Sequence, residues 1–273
     1  MTDLRPMAVA GYFYPAEPEV LRRNLDTLLT AADTRAPPVG TERPKALIVP
    51  HAGYVYSGPI AATAYAHLRR VLGAGPHISR VVLLGPAHRV WCRGLAEPGV
   101  DFLETPLGAV PVDRAALTGL PGRSDGRRAH VPEHSLEVQL PFLRTLLPHA
   151  TVVPLLVCDA EPSLVADGLA YLWGGPETLV IISTDLSHFL PAEQARTQDA
   201  RTARHITLQG APELRGEQAC GAAALNGFLR HISGRGWRVD CLDLRHSGDT
   251  AGGTREVVGY GAFALYTGPG GSA

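Results

Sequence analysis

Three histidines and an aspartate in this 273-residue chain stand directly behind apolar runs. His51 follows ALIVP (46–50), His88 follows RVVLLGPA (80–87), and Asp185 and His188 follow TLVIIST (178–184). Neutral imidazole is a ligand for iron, copper and zinc, and a carboxylate completes many such sites. Gly53 and Gly85 let the backbone turn tightly beside an ion. Any one of these histidines alone reads as a cap or a core residue. Three at equivalent positions point to a functional cluster, a metal site first. Two further segments offer donors. In VPEHSLEVQLP (131–141), His134 is either structural or a group that bonds a substrate oxygen or orients a ligand, whereas Glu133 and Glu137 suit the positive end of a helix dipole. In RHSGDTAGGTREVVGYG (245–261), Asp249 is the most ligand-like residue, although an ordinary Asp-Thr turn is the simpler reading of those residues by themselves.

The apolar runs have to position these groups. ALIVP, RVVLLG (80–85), TVVPLLV (151–157) and TLVIIST are rich in Val, Ile and Leu without polar alternation, which predicts strands covered on both faces. Helical patterns lie between them. PEVLRRNLDTLLTAA (18–32) puts Val20, Leu21, Leu25, Leu28 and Leu29 on one stripe. SGPIAATAYAHLRRV (57–71) opens on Ser57 as N-cap with Pro59 in its first turn. EHSLEVQLPFLRTLL (133–147) has a leucine face and a Pro141 that kinks or interrupts it. PAEQARTQDARTARHITLQG (191–210) reads as a surface helix, ACGAAALNGFLRHI (219–232) as a closely packed one, and REVVGYGAFALYTG (255–268) as a last strand. Alternating strands and helices predict one α/β domain over residues 1–273, with a loop at 35–44 and a frayed tail from about residue 267. In open α/β sheets the ligand crevice lies at the carboxyl ends of the strands, where the histidines stand.

Composition narrows the function. Hydrophobic residues make up 45% of the chain and charged residues 19%, enough apolar content for a sizeable core. The net charge is -1 and no long basic run occurs, so nucleic acid is a poor partner. GRSDGRR (122–128) reads as a solvated loop. No apolar run is long enough to span a bilayer, and the opening MTDLRPMAVAGYFYPAEP lacks a basic start followed by a long apolar stretch, which predicts a soluble cytoplasmic protein. Cys92, Cys158, Cys220 and Cys241 match no zinc framework and read as reduced, buried thiols.

Taken in order, RPMAVAGYFYP (5–15), HAGYVYSGPIAATAY (51–65), LLGPAHRV (83–90), ETPLGAVPVD (104–113), EHSLEVQLPFL (133–143), STDLSH (183–188) and SGDTAGGTREVVGYGAFAL (247–265) resemble the Memo family. The resemblance covers nearly the whole chain. It implies a fold like that of the class III extradiol dioxygenases: a central, largely parallel or mixed β-sheet flanked by helices. Those enzymes hold Fe(II) with two histidines and a carboxylate and use another histidine as acid/base. Carried over, His51 and His88 match the family's metal histidines, His188 the acid/base position, and Asp185 the acidic residue of the same motif. Animal members carry a cysteine in the loop before the last strand. Here that loop is SGDTAGG, and Asp249 or, depending on the gap, Thr250 falls opposite it.

The resemblance thus implies a non-haem iron oxidoreductase acting on a small substrate. Fe(II), or alternatively Cu or Zn, is held by His51, His88 and Asp249. His188 moves a proton with Asp185 beside it, and Tyr54 and His134 hydrogen-bond substrate or oxygen. It also implies a functional link to a radical S-adenosylmethionine protein and an AMMECR-like protein. Two other readings stay open: a non-catalytic peptide- or partner-binding protein using the same pocket, and a zinc hydrolase.

Overall fold

A computed structural model of the protein describes residues 3–35, 42–74, 77–211 and 213–268. Its strands are β1 (Leu4–Arg5), β2 (Ala46–Val49), β3 (Arg80–Pro86), β4 (Leu95–Glu97), β5 (Phe102–Leu103), β6 (Val110–Pro111), β7 (Arg123–Asp125), β8 (Thr151–Val157), β9 (Thr178–Ser183), β10 (His188–Leu190), β11 (Arg238–His246) and β12 (Val257–Tyr266). Its α-helices are α1 (Pro18–Arg35), α2 (Gly58–Val71), α3 (Arg114–Leu117), α4 (Arg127–His130), α5 (Leu140–Leu146), α6 (Pro162–Leu172), α7 (Ala192–Thr207) and α8 (Ala222–Ile232).

The architecture is α/β, as expected. One large sheet runs in the order β10-β12-β2-β9-β3-β8-β4-β7, and β11 joins it by pairing with β12. Its centre, β2-β9-β3-β8, is parallel, while β12 pairs antiparallel with β2, and β4 antiparallel with β8. These four central strands are the four apolar runs of the sequence, and nearly every residue in them is buried. Helices on the sheet supply the cover: α1 packs on α2 and α6 on α8. Along α1 the buried residues are Leu21, Leu25, Leu29 and Ala32, one face at helical spacing. Burying each leucine stabilises the fold by about 1.5–3 kcal/mol of transfer free energy.

The chain order places β9 between β2 and β3. Val49 pairs with Ser183, and Leu84 with Ile182. Three neighbouring parallel strands therefore end side by side, and their next turns carry His51, Asp185 and His88.

The structure departs from several expectations. The helix expected over 133–147 is broken: residues 137–139 form a 3₁₀ turn and only Leu140–Leu146 is α-helical. Before that turn the Glu133 carboxylate accepts the His134 and Ser135 N–H groups. Pro141 lies in the first turn of α5, where its missing N–H costs nothing. Strand β11 and helix α6 were not expected. β11 carries charges at Arg238, Asp240, Asp243 and Arg245, which hide its strand pattern, and its register with β12 shifts between Cys241 and Asp243. The cysteines are not all reduced: Cys92 and Cys158 form a disulfide with their Cα atoms 5.4 Å apart, leaving Cys220 and Cys241 free. Parallel pairing of β3 with β8 aligns Pro86 with Val157 and so brings the two following loops together. Residues 36–41 of the loop expected at 35–44, and 269–273 of the expected tail, lie outside the described residues. Among the described residues, no helix is long and apolar enough to cross a membrane.

Candidate metal centre

His51, His88 and His134 converge. One ring nitrogen from each lies within 4.8 Å of the other two. The ring centroids are 5.1 Å apart for His51 and His88, 5.6 Å for His51 and His134, and 4.8 Å for His88 and His134.

The hydrogen-bond network fixes which nitrogen His51 presents. Its Nδ1 lies 3.0 Å from Ser183 Oγ, and the single hydroxyl hydrogen of Ser183 is donated to the Ser135 carbonyl at 2.6 Å. Ser183 therefore accepts from His51, so Nδ1 carries the proton and Nε2 keeps a lone pair. Gln139 supports the same hydroxyl with its Nε2 at 2.9 Å. His88 follows the same logic: Nδ1 lies 2.9 Å from Glu133 Oε1, and an ionised carboxylate only accepts. Its Nε2 is likewise left with a lone pair.

Glu133 organises the centre. Its Oε1 accepts from the His88 ring, the His134 backbone N–H at 2.8 Å and the Ser135 N–H at 3.0 Å, and Oε2 accepts the His88 backbone N–H. Burial pushes this carboxyl up, but the His88 hydrogen bonds, with help from Ser135, outweigh burial and hold it below the usual carboxylate range. One buried side chain thus aims two of the three imidazoles. Glu137 anchors a neighbouring segment. It pairs with Arg5 and accepts from the Ala8 and Val9 N–H groups and the Tyr14 hydroxyl at 2.8, 3.0 and 2.7 Å. That holds the opening loop against the site, with the Phe13 ring 4.8 Å from His134.

The three nitrogens suit a cation. Burial, reinforced by neighbouring His88, lowers the pKa of His51 to about 3. Burial, reinforced by His51, lowers that of His134 to about 4. Both rings are uncharged at neutral pH and keep lone pairs. His134 Nδ1 is buried 3.2 Å from Glu133 Oε1 but without hydrogen-bond geometry. His51 is buried, His134 half-buried and His88 exposed, and imidazole nitrogens that converge in this way are what a metal ion satisfies.

The remaining predicted site residues are distributed differently. Asp185 is buried beside His51. Its Oδ1 accepts the His51 backbone N–H at 2.7 Å and its Oδ2 lies 4.0 Å from His51 Nε2. Burial raises its pKa, against the hydrogen bond from His51. His188 opens β10 and is half-buried, within electrostatic reach of Asp185 and His51. The next residue, Phe189, is 72% exposed in a left-handed conformation (φ 57°) that non-glycine residues adopt only when their surroundings impose it.

Asp249 is not in the three-donor group. The 3₁₀ turn Ser247–Asp249 folds its carboxylate onto the His246 N–H at 3.0 Å and the Arg196 guanidinium at 2.7 Å. Thr250 spends its hydroxyl on the Ser247 carbonyl. The third member of the converging group is His134. Tyr54 is buried and donates its hydroxyl to the Val138 carbonyl at 2.8 Å.

Sequence reasoning missed three functional neighbours: Ser183, Glu133 as an orienting group, and Cys220, whose Sγ sits 3.2 Å from His51 Nε2. The Glu-His pair at 133–134 was a usable signal for the second. Nothing in the sequence marks Cys220, which comes from the far side of the chain order.

Comparison with known proteins agrees with the motif reading. A family model described as Memo-like protein matches residues 5–264. A MEMO1 family protein of Aquifex aeolicus is 32% identical over 271 residues, covering 94% of this chain and 97% of the relative. One from Thermotoga neapolitana is 33% identical over 287 residues, covering 94% and 98%. One from Ignicoccus hospitalis is 34% identical over 284 residues, covering 95% and 97%.

Proposed function

We propose, for a chain that belongs to the Memo-like protein family, that its function is metal-dependent oxidoreduction of a small substrate at the His51–His88–His134 centre. The observation that carries this reading is the locked pair of imidazoles. Ser183 and Glu133 hold the Nδ1 protons of His51 and His88, so both Nε2 atoms keep a lone pair, that of His51 beside Cys220 Sγ at 3.2 Å. Fe(II) is the proposed ion. Copper and zinc suit the same nitrogens, and the absence of Asp249 from the group removes the carboxylate that argued for iron over them. An iron or copper ion held there supplies one-electron chemistry and an electrophilic position for an oxygen ligand.

The chain's own groups complete the reading. Asp185 fixes the His51 backbone and stands beside the His51 ring. His188, half-buried near Asp185, is the group we assign to proton transfer. Phe13 packs on the His134 ring. A cytoplasmic location and a functional link to a radical S-adenosylmethionine protein and an AMMECR-like protein are part of the same proposal. Co-purification of the tagged chain with either protein tests the link.

Elemental analysis of anaerobically purified protein tests the centre. Near-stoichiometric iron, copper or zinc in the wild type and none in His51→Ala supports it. No metal retained by the wild type after Fe(II), Cu(II) and Zn(II) are supplied overturns it.

One observation favours a second reading, recognition of a peptide or partner. Trp91 and Phe189 are 73% and 72% exposed and stand three and one residues beyond His88 and His188, and Tyr12 is exposed beside Phe13. Exposed aromatic groups so close in the chain to the site residues suit a partner with apolar side chains. Partner binding that survives metal removal, with no oxygen consumption under any substrate tried, distinguishes it from the oxidoreductase.

A further inference from the structure

The segment that carries His88 is held at two places. At its start the Glu133 carboxylate takes both the His88 ring and the His88 backbone N–H. Farther along, Cys92 is bonded to Cys158, the residue that directly follows β8. Around that bond the two chains run together as a short ladder. Arg93 bridges to Asp159, Gly94 donates its N–H to the Asp159 carbonyl at 3.1 Å, and Asp159 donates its N–H to the Cys92 carbonyl at 3.5 Å. Between the two holds, the backbone of residues 89–91 makes no hydrogen bond among the described residues. Arg89 and Trp91 are exposed, and Val90 packs against the core.

A segment with few backbone bonds and exposed side chains opens locally at low cost. Here that freedom belongs to a donor of the centre, because the His88 imidazole leaves its place when the segment opens. A covalent tie at Cys92 removes conformations in which the ring swings away. Donors set in place beforehand bind an ion more tightly, since less ordering remains to be done on binding. The tie is also open to exchange. Cys92 is buried, but Cys158 is half-buried, so a small thiol or disulfide reaches the pair from the Cys158 side. A disulfide sealed in the core offers no such approach.

Resting on the metal reading above, we propose that the Cys92–Cys158 pair is a redox-controlled clasp on the His88 segment. Closed, it presets His88 for an ion. Opened, it releases the segment and weakens the centre. Closure is thiol–disulfide exchange with a low-molecular-weight disulfide of the glutathione type. The Cys158 thiolate attacks one sulfur of that disulfide, which breaks its S–S bond and expels one small thiol. The Cys92 thiolate then attacks Cys158 Sγ in the mixed disulfide and expels the second. Two electrons pass from the cysteines to the small disulfide, and the two cysteine protons end on the two released thiols. The small thiol in excess runs the same steps backwards and opens the clasp. The centre thereby holds its ion more tightly under oxidising conditions than under reducing ones.

The test uses the full chain with Zn(II), which has no redox change of its own. Oxidised wild type is compared with the double variant Cys92→Ser/Cys158→Ser, which is open in any buffer and has no thiol pair to bind zinc. Affinity is read by competition with a chromophoric chelator, and retention of the fold by circular dichroism. The expected result is that the double variant keeps zinc but binds it about fivefold or more weakly, the lower end of ordinary coupling between two sites. Reduced wild type, freed of reductant anaerobically, gives the same comparison without a substitution, with zinc held by the thiols themselves subtracted using reduced His51→Ala. Separately, alkylation and mass measurement on metal-free wild type should find the pair open in a glutathione buffer of reducing poise and closed after oxidised glutathione. Equal affinity in the closed and open forms, or tighter binding in the open one, overturns the clasp and leaves the three-histidine centre standing. A pair that stays closed in the reducing buffer, or never closes, overturns it as well. No zinc retained by oxidised wild type overturns the centre and the clasp together.

Discussion

Glu133→Gln is the substitution that best separates an orienting group from a structural one. The side chain keeps its size, but one of the two carboxylate oxygens becomes an NH₂. Four donors converge on the carboxylate, three on Oε1 and the His88 N–H on Oε2. With the amide oxygen at the Oε1 position, the amide NH₂ faces the His88 N–H, donor against donor. With the amide flipped, three donors lose their acceptor, among them the Nδ1–H that sets the His88 tautomer. The first arrangement is the less costly. It leaves a buried donor unpaired, a penalty of about 1–3 kcal/mol, and weakens the remaining bonds by removing the charge. For a chain of this size that amounts to roughly 2–4 °C in Tm per kcal/mol.

The stability change alone would not show an orienting role. The decisive quantity is metal affinity, measured by competition with a chromophoric chelator. Because Glu133 fixes both the His88 ring and the His134 backbone, we expect affinity to fall about 10–100-fold, or about 1.4–2.7 kcal/mol. A lower Tm with unchanged affinity refutes the reasoning, and would return Glu133 to the purely structural role that its place near a helix start suggested.

Gly221→Ala should be destabilising by about 1–3 kcal/mol, since the new Cβ meets Thr184 and the Ser183 backbone and α8 must move away; urea unfolding measures it. Buried histidines set an acid limit on stability. His51 at about 3 and His130 at about 4 are both lowered by burial from an ordinary 6.5. The unfolded chain therefore binds protons that the fold refuses, and stability is lost as pH falls below about 6.5 toward 4, by up to roughly 1.4 kcal/mol per unit for each ring. Denaturant unfolding at stepped pH should show that slope, and a flat profile from 7 to 4.5 contradicts the burial of neutral rings. Thiol titration in denaturant should count two free cysteines, Cys220 and Cys241, rising to four after reduction; four before reduction rules out the Cys92–Cys158 bond.

The sequence by itself determined the layers and the edge of the sheet that matters. Val-, Ile- and Leu-rich runs without alternation can only be buried on both faces, so β2, β3, β8 and β9 were legible, as was the position of His51, His88 and Asp185 just beyond three of their ends. Strand order was not legible, because hydrophobic pattern says that a strand is central but not which strand lies beside it. The placing of β9 between β2 and β3 is what turns three separate loops into one site.

The donor set was decided by contacts between segments distant in the chain. Asp249 reads as a ligand from its loop, but a tight turn and Arg196 take its carboxylate. His134 reads as half of an ambiguous helix start; in the fold Glu133 accepts its N–H and the imidazole lies beside His88. Cys220 carries no local signal. It reaches His51 only because Gly221 has no side chain to keep α8 from β9. Local pattern fixes which residues are buried and where strands end, while the chemistry depends on which buried donors and acceptors meet, and that is a property of the packed chain.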